Sequence, residues 1–369
     1  MMKDLRNYFK QLDYVLIALV VVLALLGLLM IASATKSAES SRQMLVQSVA
    51  VVMGLCFMFI MAAVDYESYT GIEKYLYIGS ILILIFVLLF GKGKDETGAN
   101  SWIRIGGIGL QPSELVKISF CITFSNLLAK SRETINAPKT LLKLILHFGI
   151  VAGLVILQND TGTALVFLFM FLCMLFAAGL SYKYIFAGLG AFLAFLPLAW
   201  FVLMQPYQRN RILVFLNPER DATGAGYQVL QSKIALGSGE FLGRGYMQGP
   251  QNQLGMLPEN QTDFIYGVIG EEFGFIGSVL VLLLLVLLII RCIYIALHAK
   301  NDLGCFMAIG IAAMFTFHTF ENIFMCIGLM PVTGIPLPFL SYGGSSALTN
   351  CIAIGLVLSV WSRRKPLRF

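Results

Sequence analysis

Charge is scarce in this sequence: Asp, Glu, Lys and Arg make up 12% of 369 residues, about half the usual share of a soluble domain. That excludes a water-covered globular surface and a solvated disordered chain. Histidine is scarcer still. His147, His298 and His318 stand far apart, so no His-based metal motif exists at ligand spacing. The seven cysteines form no CxxC pair and sit in or beside apolar segments, which removes zinc-ribbon and thioredoxin-like readings and leaves small packing residues. No repeat of fixed period and no low-complexity tract is present. Solenoids and arrays are excluded, and the chain is read as one integral domain over 1–369.

What is present is apolar length. Hydrophobic residues reach 58% and mean hydropathy is +0.82. Apolar runs near 14–33, 44–64, 75–90, 115–129, 141–157, 163–180, 185–203, 275–294, 303–327 and 345–361 approach the roughly 20 residues that a helix needs to cross hydrocarbon. The expected fold is an all-α polytopic membrane protein with about ten transmembrane helices. Lys3, Arg6, Lys10, Lys74, Lys130, Arg132, Lys139, Lys143, Lys183, Arg291, Lys300, Arg363, Arg364, Lys365 and Arg368 concentrate on one set of connections, which the positive-inside bias makes cytoplasmic. Both termini are then inside, and a polar insertion at about 205–272, between helices 7 and 8, is extracellular. The first run is too long for a signal peptide and lacks a small-residue cleavage site, so it is read as a retained helix. The net charge of +6 is accounted for by topology and implies no nucleic-acid partner.

Chemistry is confined to three outer loops, 91–112, 205–272 and 329–344. In the first, Trp102 is either an interfacial anchor or a ligand contact. Pro112, Ser113 and Glu114 open a helix in the ordinary way, but Lys117 falls on the same face as Glu114. The two either satisfy each other or bind an anionic group. The third loop is apolar yet dense in Pro and Gly, so it predicts irregular backbone tucked among helices and lining a cavity. In the second, Arg209 and Arg211 precede a short amphipathic helix around Val229–Leu236, then Lys233 and Gly243-Arg244-Gly245. Cations beside Gly-rich backbone suit a pyrophosphate. Asp263 closes this loop, either as a helix N-cap or as a reactive carboxylate. His318, with Glu321 and Asn322 in the same run, is either a hydrogen-bonded packing residue or part of a polar cavity.

Five stretches together resemble the shape, elongation, division and sporulation (SEDS) family. They are Gln111-Pro112-Ser113-Glu114; Tyr227-Gln228 with Gln231-Ser232-Lys233-Ile234-Ala235; Leu257-Pro258-Glu259 with Thr262-Asp263-Phe264-Ile265; Glu271-Glu272-Phe273-Gly274-Phe275-Ile276-Gly277; and the run from Pro331 to Ser346, including Pro336-Leu337-Pro338-Phe339 and Ser341-Tyr342-Gly343-Gly344. Gln248-Gly249-Pro250-Gln251-Asn252-Gln253-Leu254 is nearer the family's rod-shape branch than its division branch. The resemblance implies a peptidoglycan glycosyltransferase of the bacterial cytoplasmic membrane. Such an enzyme polymerises lipid II at the outer face during cell elongation and releases undecaprenyl pyrophosphate. It also implies a class B penicillin-binding protein and other elongation-complex membrane proteins as partners. By motif, Asp263 matches the family's essential loop carboxylate, Trp102 its loop tryptophan, and Glu114 and Lys117 its central polar residues. Arg209 and Arg211 fall in the Tyr-Gln-Arg stretch assigned to substrate.

The implied reaction inverts an α-linked pyrophosphate to a β-1,4 bond, for which one base is sufficient; a second catalytic carboxylate is not demanded, and Glu114 is the candidate for one. Asp263 fits the base. Lys117, Arg209, Arg211, Lys233 and Arg244 are all candidates to meet the leaving phosphate, with a divalent ion such as Mg2+ or Mn2+ as a further source of charge. Two departures from the family pattern stand out. Gln261 replaces a usual His, and Gln158-Asn159-Asp160 replaces a usual Gln-Pro-Asp. Two competing functions use the same residues differently: a transporter of the lipid-linked precursor, lined by Glu114, Lys117 and Glu321, and a non-catalytic scaffold for a penicillin-binding protein.

Overall fold

The computed structural model describes residues 11–35, 38–93, 99–105, 108–204, 206–221 and 224–364. The expected cytoplasmic termini, with Lys3, Arg6, Lys10, Lys365 and Arg368, lie outside the described residues. Each of the ten apolar runs coincides with a helix: α1 Tyr14–Ala34, α2 Ala38–Ala63, α3 Glu73–Phe90, α4 Pro112–Ser131, α5 Pro138–Leu157, α6 Thr161–Ala177, α7 Tyr182–Leu198, and, after the insertion, α11 Ile265–Leu297, α12 Asp302–Cys326 and α13 Gly344–Ser362. The insertion contributes α8 Pro206–Leu216, α9 Ala225–Ser238 and the single turn α10 Pro250–Gln253.

Among the described residues, eight helices (α1, α2, α3, α5, α7, α11, α12 and α13) are long and apolar enough to cross a membrane. The other two runs give α4, which carries Glu114, Lys117 and Lys130, and the 17-residue α6. Large apolar side chains such as Leu82, Phe90, Phe186 and Leu287 stay exposed on the outer helices. In water such a surface would drive aggregation; in hydrocarbon it is the ordinary exterior.

The first loop departs from the all-helical expectation. Ile103–Ile105 (β1) pairs antiparallel with Ile108–Leu110 (β2), Ile103 opposite Leu110. The sequence carries a signal for it: Gly106-Gly107 between Ile103/Ile105 and Ile108/Leu110, two short apolar alternations, is a hairpin pattern. Those two turn residues lie outside the described set.

α2 and α13 run side by side and parallel. Gln47 meets Gly343, Gly54 meets Cys351, and Met58 meets Gly355, in nearly constant register. The two glycines let the backbones approach closely, as small residues do between membrane helices.

The insertion is irregular only as far as Phe264, because α11 already begins at Ile265. That helix is broken at Gly274 (φ 66°, ψ −162°), a conformation open essentially to glycine alone. A break in an apolar surrounding frees two carbonyls and two N–H groups that need partners. The segment 240–245 supplies all four. The N–H groups of Arg244 and Gly245 donate to the carbonyls of Glu271 and Glu272 (2.9 and 3.0 Å), while those of Phe275 and Ile276 donate to the carbonyls of Glu240 and Phe241 (2.8 and 3.2 Å). A side chain at Gly274 would strike the Gly243 nitrogen and the Phe241 carbonyl. Gly274→Ala is therefore expected to destabilise the protein by on the order of 1–3 kcal/mol, read as a lower thermal unfolding midpoint in detergent; an unchanged midpoint would contradict the backbone exchange.

Candidate active site

Asp263 does not cap the helix it precedes. The cap position of α11 is Phe264, and no side chain caps it. The backbone around Asp263 is instead fixed from two sides. On α12, Asn322 is fully buried and its amide nitrogen donates to the carbonyls of both Asp263 and Ile335 (2.8 Å each). From the third loop, the Ser341 hydroxyl donates to the Thr262 carbonyl (2.6 Å) and accepts the Leu337 N–H (2.8 Å), and the Tyr342 N–H donates to the Gln261 carbonyl (2.8 Å). One amide thus ties together the loop that carries the acid and the loop that faces it.

Both loops line a cavity of about 320 Å³, whose wall includes Asp263, Trp102, Glu114, Pro336, Tyr342 and the start of α13. The cavity therefore gathers all three loops singled out in the sequence. Trp102 is placed by the hairpin strand and by paired hydrogen bonds with Lys92 (2.8 and 3.1 Å), and its ring lies over Gly109. Gln111, at the start of α4, donates to Asp160 (2.8 Å), which also caps α6 through the Thr163 N–H (3.1 Å). The altered Gln158-Asn159-Asp160 stretch therefore keeps its acid in use.

Among the described residues no donor reaches the Asp263 carboxylate, which keeps part of its surface toward the cavity. Burial, then the nearby Glu259 carboxylate, pushes its pKa up to about 7, and Arg211 pulls the other way. The sign has a consequence for stability. The fold prefers this carboxyl neutral, so its contribution is present below the ordinary carboxylate range and is lost as pH rises through about 7.

Glu114 and Lys117 do pair, at 2.8 Å and almost fully buried. Lys117 also donates to Nε2 of His318 (2.8 Å), whose Nδ1 faces the Pro336 carbonyl (3.3 Å). That chain assigns the proton to Nδ1 and makes His318 a link between α4 and the third loop. Mutual satisfaction accounts for Lys117 and for Oε1 of Glu114. It leaves the buried Oε2 of Glu114, a residue of the cavity wall, without a hydrogen-bond partner among the described residues.

The four cations expected from the insertion do not line this cavity. Arg209 donates to the Phe201 carbonyl (3.2 Å). Lys233 lies over Gly328 beyond the end of α12, next to the Ser232 hydroxyl that donates to the Cys326 carbonyl (2.9 Å). Arg244 faces Glu240 (3.8 Å), and its backbone N–H, like that of Gly245, is engaged with the broken helix. The N–H groups of Arg244 and Gly245 are thus taken up in supporting α11 and that of Gly243 by the Gly239 carbonyl (2.8 Å), so none of the three is available to a phosphate. Arg211 acts at a distance, since its field reaches Asp263.

Sequence reasoning missed two groups. Arg42 on α2 lines the cavity, but in sequence it only follows Lys36 and Glu39 ahead of an apolar run. Glu271 and Glu272 are clamps. Glu271 accepts the Gln251 and Asn252 N–H groups (2.6 and 3.0 Å), and Glu272 accepts from Asn252 Nδ2 (2.9 Å) and from the Ser33 hydroxyl. Among the described residues no group of three or more His, Cys, Asp or Glu side chains is gathered as a metal site; Glu114 and Asp263 are the two carboxylates at the cavity.

Asn322→Ala leaves the buried Ile335 carbonyl and the part-buried Asp263 carbonyl without their shared donor, at a cost of about 1–3 kcal/mol. It is expected to lower the unfolding midpoint and to expose the 257–264 backbone to amide hydrogen exchange; exchange unchanged from wild type would show that Asn322 does not hold the loop.

Residues 13–365 match the cell cycle protein family of FtsW, RodA and SpoVE. The peptidoglycan glycosyltransferase MrdB of Escherichia coli is 39% identical over 317 residues, covering 86% of this chain and 85% of that protein. A probable peptidoglycan glycosyltransferase FtsW of Geobacter metallireducens is 34% identical over 372 residues, covering 99% and 97%. Among solved structures, a chain of a peptidoglycan synthase complex that coordinates polymerization and crosslinking superposes with a TM-score of 0.80 at 32% identity, over 95% of this chain and 97% of that one. The rod shape determining protein RodA of Thermus thermophilus superposes with a TM-score of 0.71 at 29% identity, over 96% and 98%. The apolar helices, the broken α11 and the three-loop cavity are thus those of a multi-pass membrane protein, and the chain belongs to the SEDS family of FtsW and RodA.

Proposed function

We propose that this chain is a peptidoglycan glycosyltransferase that polymerises lipid II at the cavity walled by Asp263, Trp102 and Glu114, facing outward from the cytoplasmic membrane. The observation that carries the reading is the Asp263 carboxylate. It is rigid in backbone, bare of donors among the described residues, open to a cavity, and shifted to about 7. A base with that proton affinity suits removal of a proton from an attacking hydroxyl at neutral pH.

In the reaction, the acceptor hydroxyl oxygen bonds to the donor's anomeric carbon as the bond from that carbon to the lipid pyrophosphate breaks. The hydroxyl proton passes to Asp263, and the bonding pair leaves with the pyrophosphate. One displacement inverts the anomeric centre. Trp102 offers a flat apolar face to a sugar ring. Oε2 of Glu114 accepts from a substrate hydroxyl or amide, while Lys117 holds Glu114 in place and balances its charge. Arg211 tunes Asp263 through its field. A class B penicillin-binding protein that cross-links the glycan fits as partner, in keeping with the synthase complex of the solved relative.

The test is polymerisation of lipid II by the purified protein with its partner. Asp263→Asn is expected to lose about 100-fold or more of the rate. Wild-type rate in that variant would remove the base assignment. Movement of lipid II without bond formation would indicate a transporter, and polymer formed only when another enzyme is added would indicate a scaffold. The wild-type rate is expected to rise about tenfold per pH unit below about 7 and to level off above it, as the carboxylate ionises. A rate flat between pH 5 and 8, on the order of one unit or more either side of that value, would contradict Asp263 as the titrating base.

A further inference from the structure

The start of α13 is held open. Gly343 occupies its cap position and provides no capping side chain, while the Gly343 N–H is itself taken by Oε1 of Gln47 at 3.0 Å. The next three N–H groups, of Gly344, Ser345 and Ser346, meet no acceptor among the described residues. The neighbouring hydroxyls do not turn back to cap them. Ser345 accepts the Gln111 N–H (3.2 Å) and faces the Gly109 carbonyl (3.4 Å), and Ser346 accepts from Asn350 (3.3 Å). Gly344, Ser345 and Ser346 all line the cavity of Asp263. The first turn of a 19-residue helix therefore points three unused donors and the positive end of its dipole at that space.

Two further observations point to a ligand there. Arg42 lines the same cavity, and among the described residues its guanidinium makes no hydrogen bond or ion pair; its field is felt by Tyr342 beside the start of α13. The parallel register of α2 and α13 puts Arg42 more than one helical turn before Gln47, and so beyond the open end of α13. The second observation is the buried Oε2 of Glu114. An acceptor left bare in the cavity wall asks for a hydroxyl or amide. The open turn and Arg42 ask for an anion. A sugar carrying a phosphate satisfies both poles at once, and Lys117 keeps Glu114 from repelling the anion.

We infer that Arg42 and the N–H groups of Gly344, Ser345 and Ser346 form the seat for the pyrophosphate of a lipid-linked sugar donor. The inference rests on the glycosyltransferase reading of this cavity. It moves the anion from the 205–272 cations to the junction of α2 and α13, where the charge that develops on the leaving group meets donors that need no reorganisation.

Equilibrium binding of farnesyl pyrophosphate to the full chain in detergent tests it, with farnesol and phosphatidylglycerol as the other arms. Arg42→Gln is expected to weaken farnesyl pyrophosphate by about tenfold or more, and Arg42→Lys to retain most of the affinity. Gly344→Pro removes one donor at the first helical position, where proline is compatible with the helix and Gly343 is already extended enough to precede it (ψ 104°). It is expected to weaken binding similarly with the unfolding midpoint kept; if that variant does not fold, the Arg42 pair decides. Equal binding by Arg42→Gln and wild type would overturn the seat, as would equal binding of farnesol, or displacement by phosphatidylglycerol at matched concentration. The two readings fail separately. Polymerisation lost in Asp263→Asn, with pyrophosphate binding unmoved in Arg42→Gln, keeps the enzyme and removes the seat. Binding lost in Arg42→Gln, with no polymer from wild type and partner, keeps the seat and removes the enzyme.

Discussion

Backbone polar groups that leave a helix inside an apolar bundle must find partners within the protein, and this constraint shapes the whole site. Two breaks in helical continuity bear on the site. At Gly274, four freed groups pair with the 240–245 segment. At the third loop, the Asn322 amide takes two carbonyls, and Ser341 and Tyr342 take the backbone on either side. Each repair draws part of the polar insertion against an apolar helix. The loop carrying Asp263 is therefore fixed at both of its ends, by Glu271, Glu272 and Asn252 on one side and by Asn322 on the other. A flexible polar loop is converted into a wall.

That wall places an acid under tension. Asp263 is half-buried at the cavity, has the Glu259 carboxylate nearby and receives no donor among the described residues, so the fold gains nothing by ionising it. Stability alone would replace it with a neutral residue. A group that opposes the fold's own preference yet is held in a rigid frame is the usual mark of a reactive one. Glu114 shows the complementary arrangement: it is paired with Lys117, and one oxygen keeps no hydrogen-bond partner among the described residues.

Much of this was legible in the sequence. The ten helices follow from run length, and the convergence of three irregular loops follows from where Gly, Pro and polar residues interrupt those runs. Trp102, Glu114 and Asp263 do meet at one cavity. What local pattern could not carry was long-range backbone pairing. Gly243-Arg244-Gly245 looks like an anion loop by composition, yet the Arg244 and Gly245 N–H groups serve α11 and that of Gly243 serves Gly239. Glu271 and Glu272 stand out in the sequence only as part of a shared stretch, and the structure shows that they hold the 250–253 turn. Arg42 carries no local signal where it follows Lys36 and Glu39 ahead of an apolar run, and only the parallel packing of α2 on α13 brings it to the cavity. The Gly106-Gly107 hairpin signal, by contrast, was present in the sequence and was outweighed by the helical character of everything around it.

The account stands or falls on where the reacting hydroxyl sits. A structure of the protein with its partner and a non-reactive lipid II analogue measures this directly. The account predicts the acceptor hydroxyl at about 3 Å from an Asp263 carboxylate oxygen, with Trp102 along the sugar. A hydroxyl bound on the far side of the cavity, with Asp263 contacting only water or protein, would contradict it.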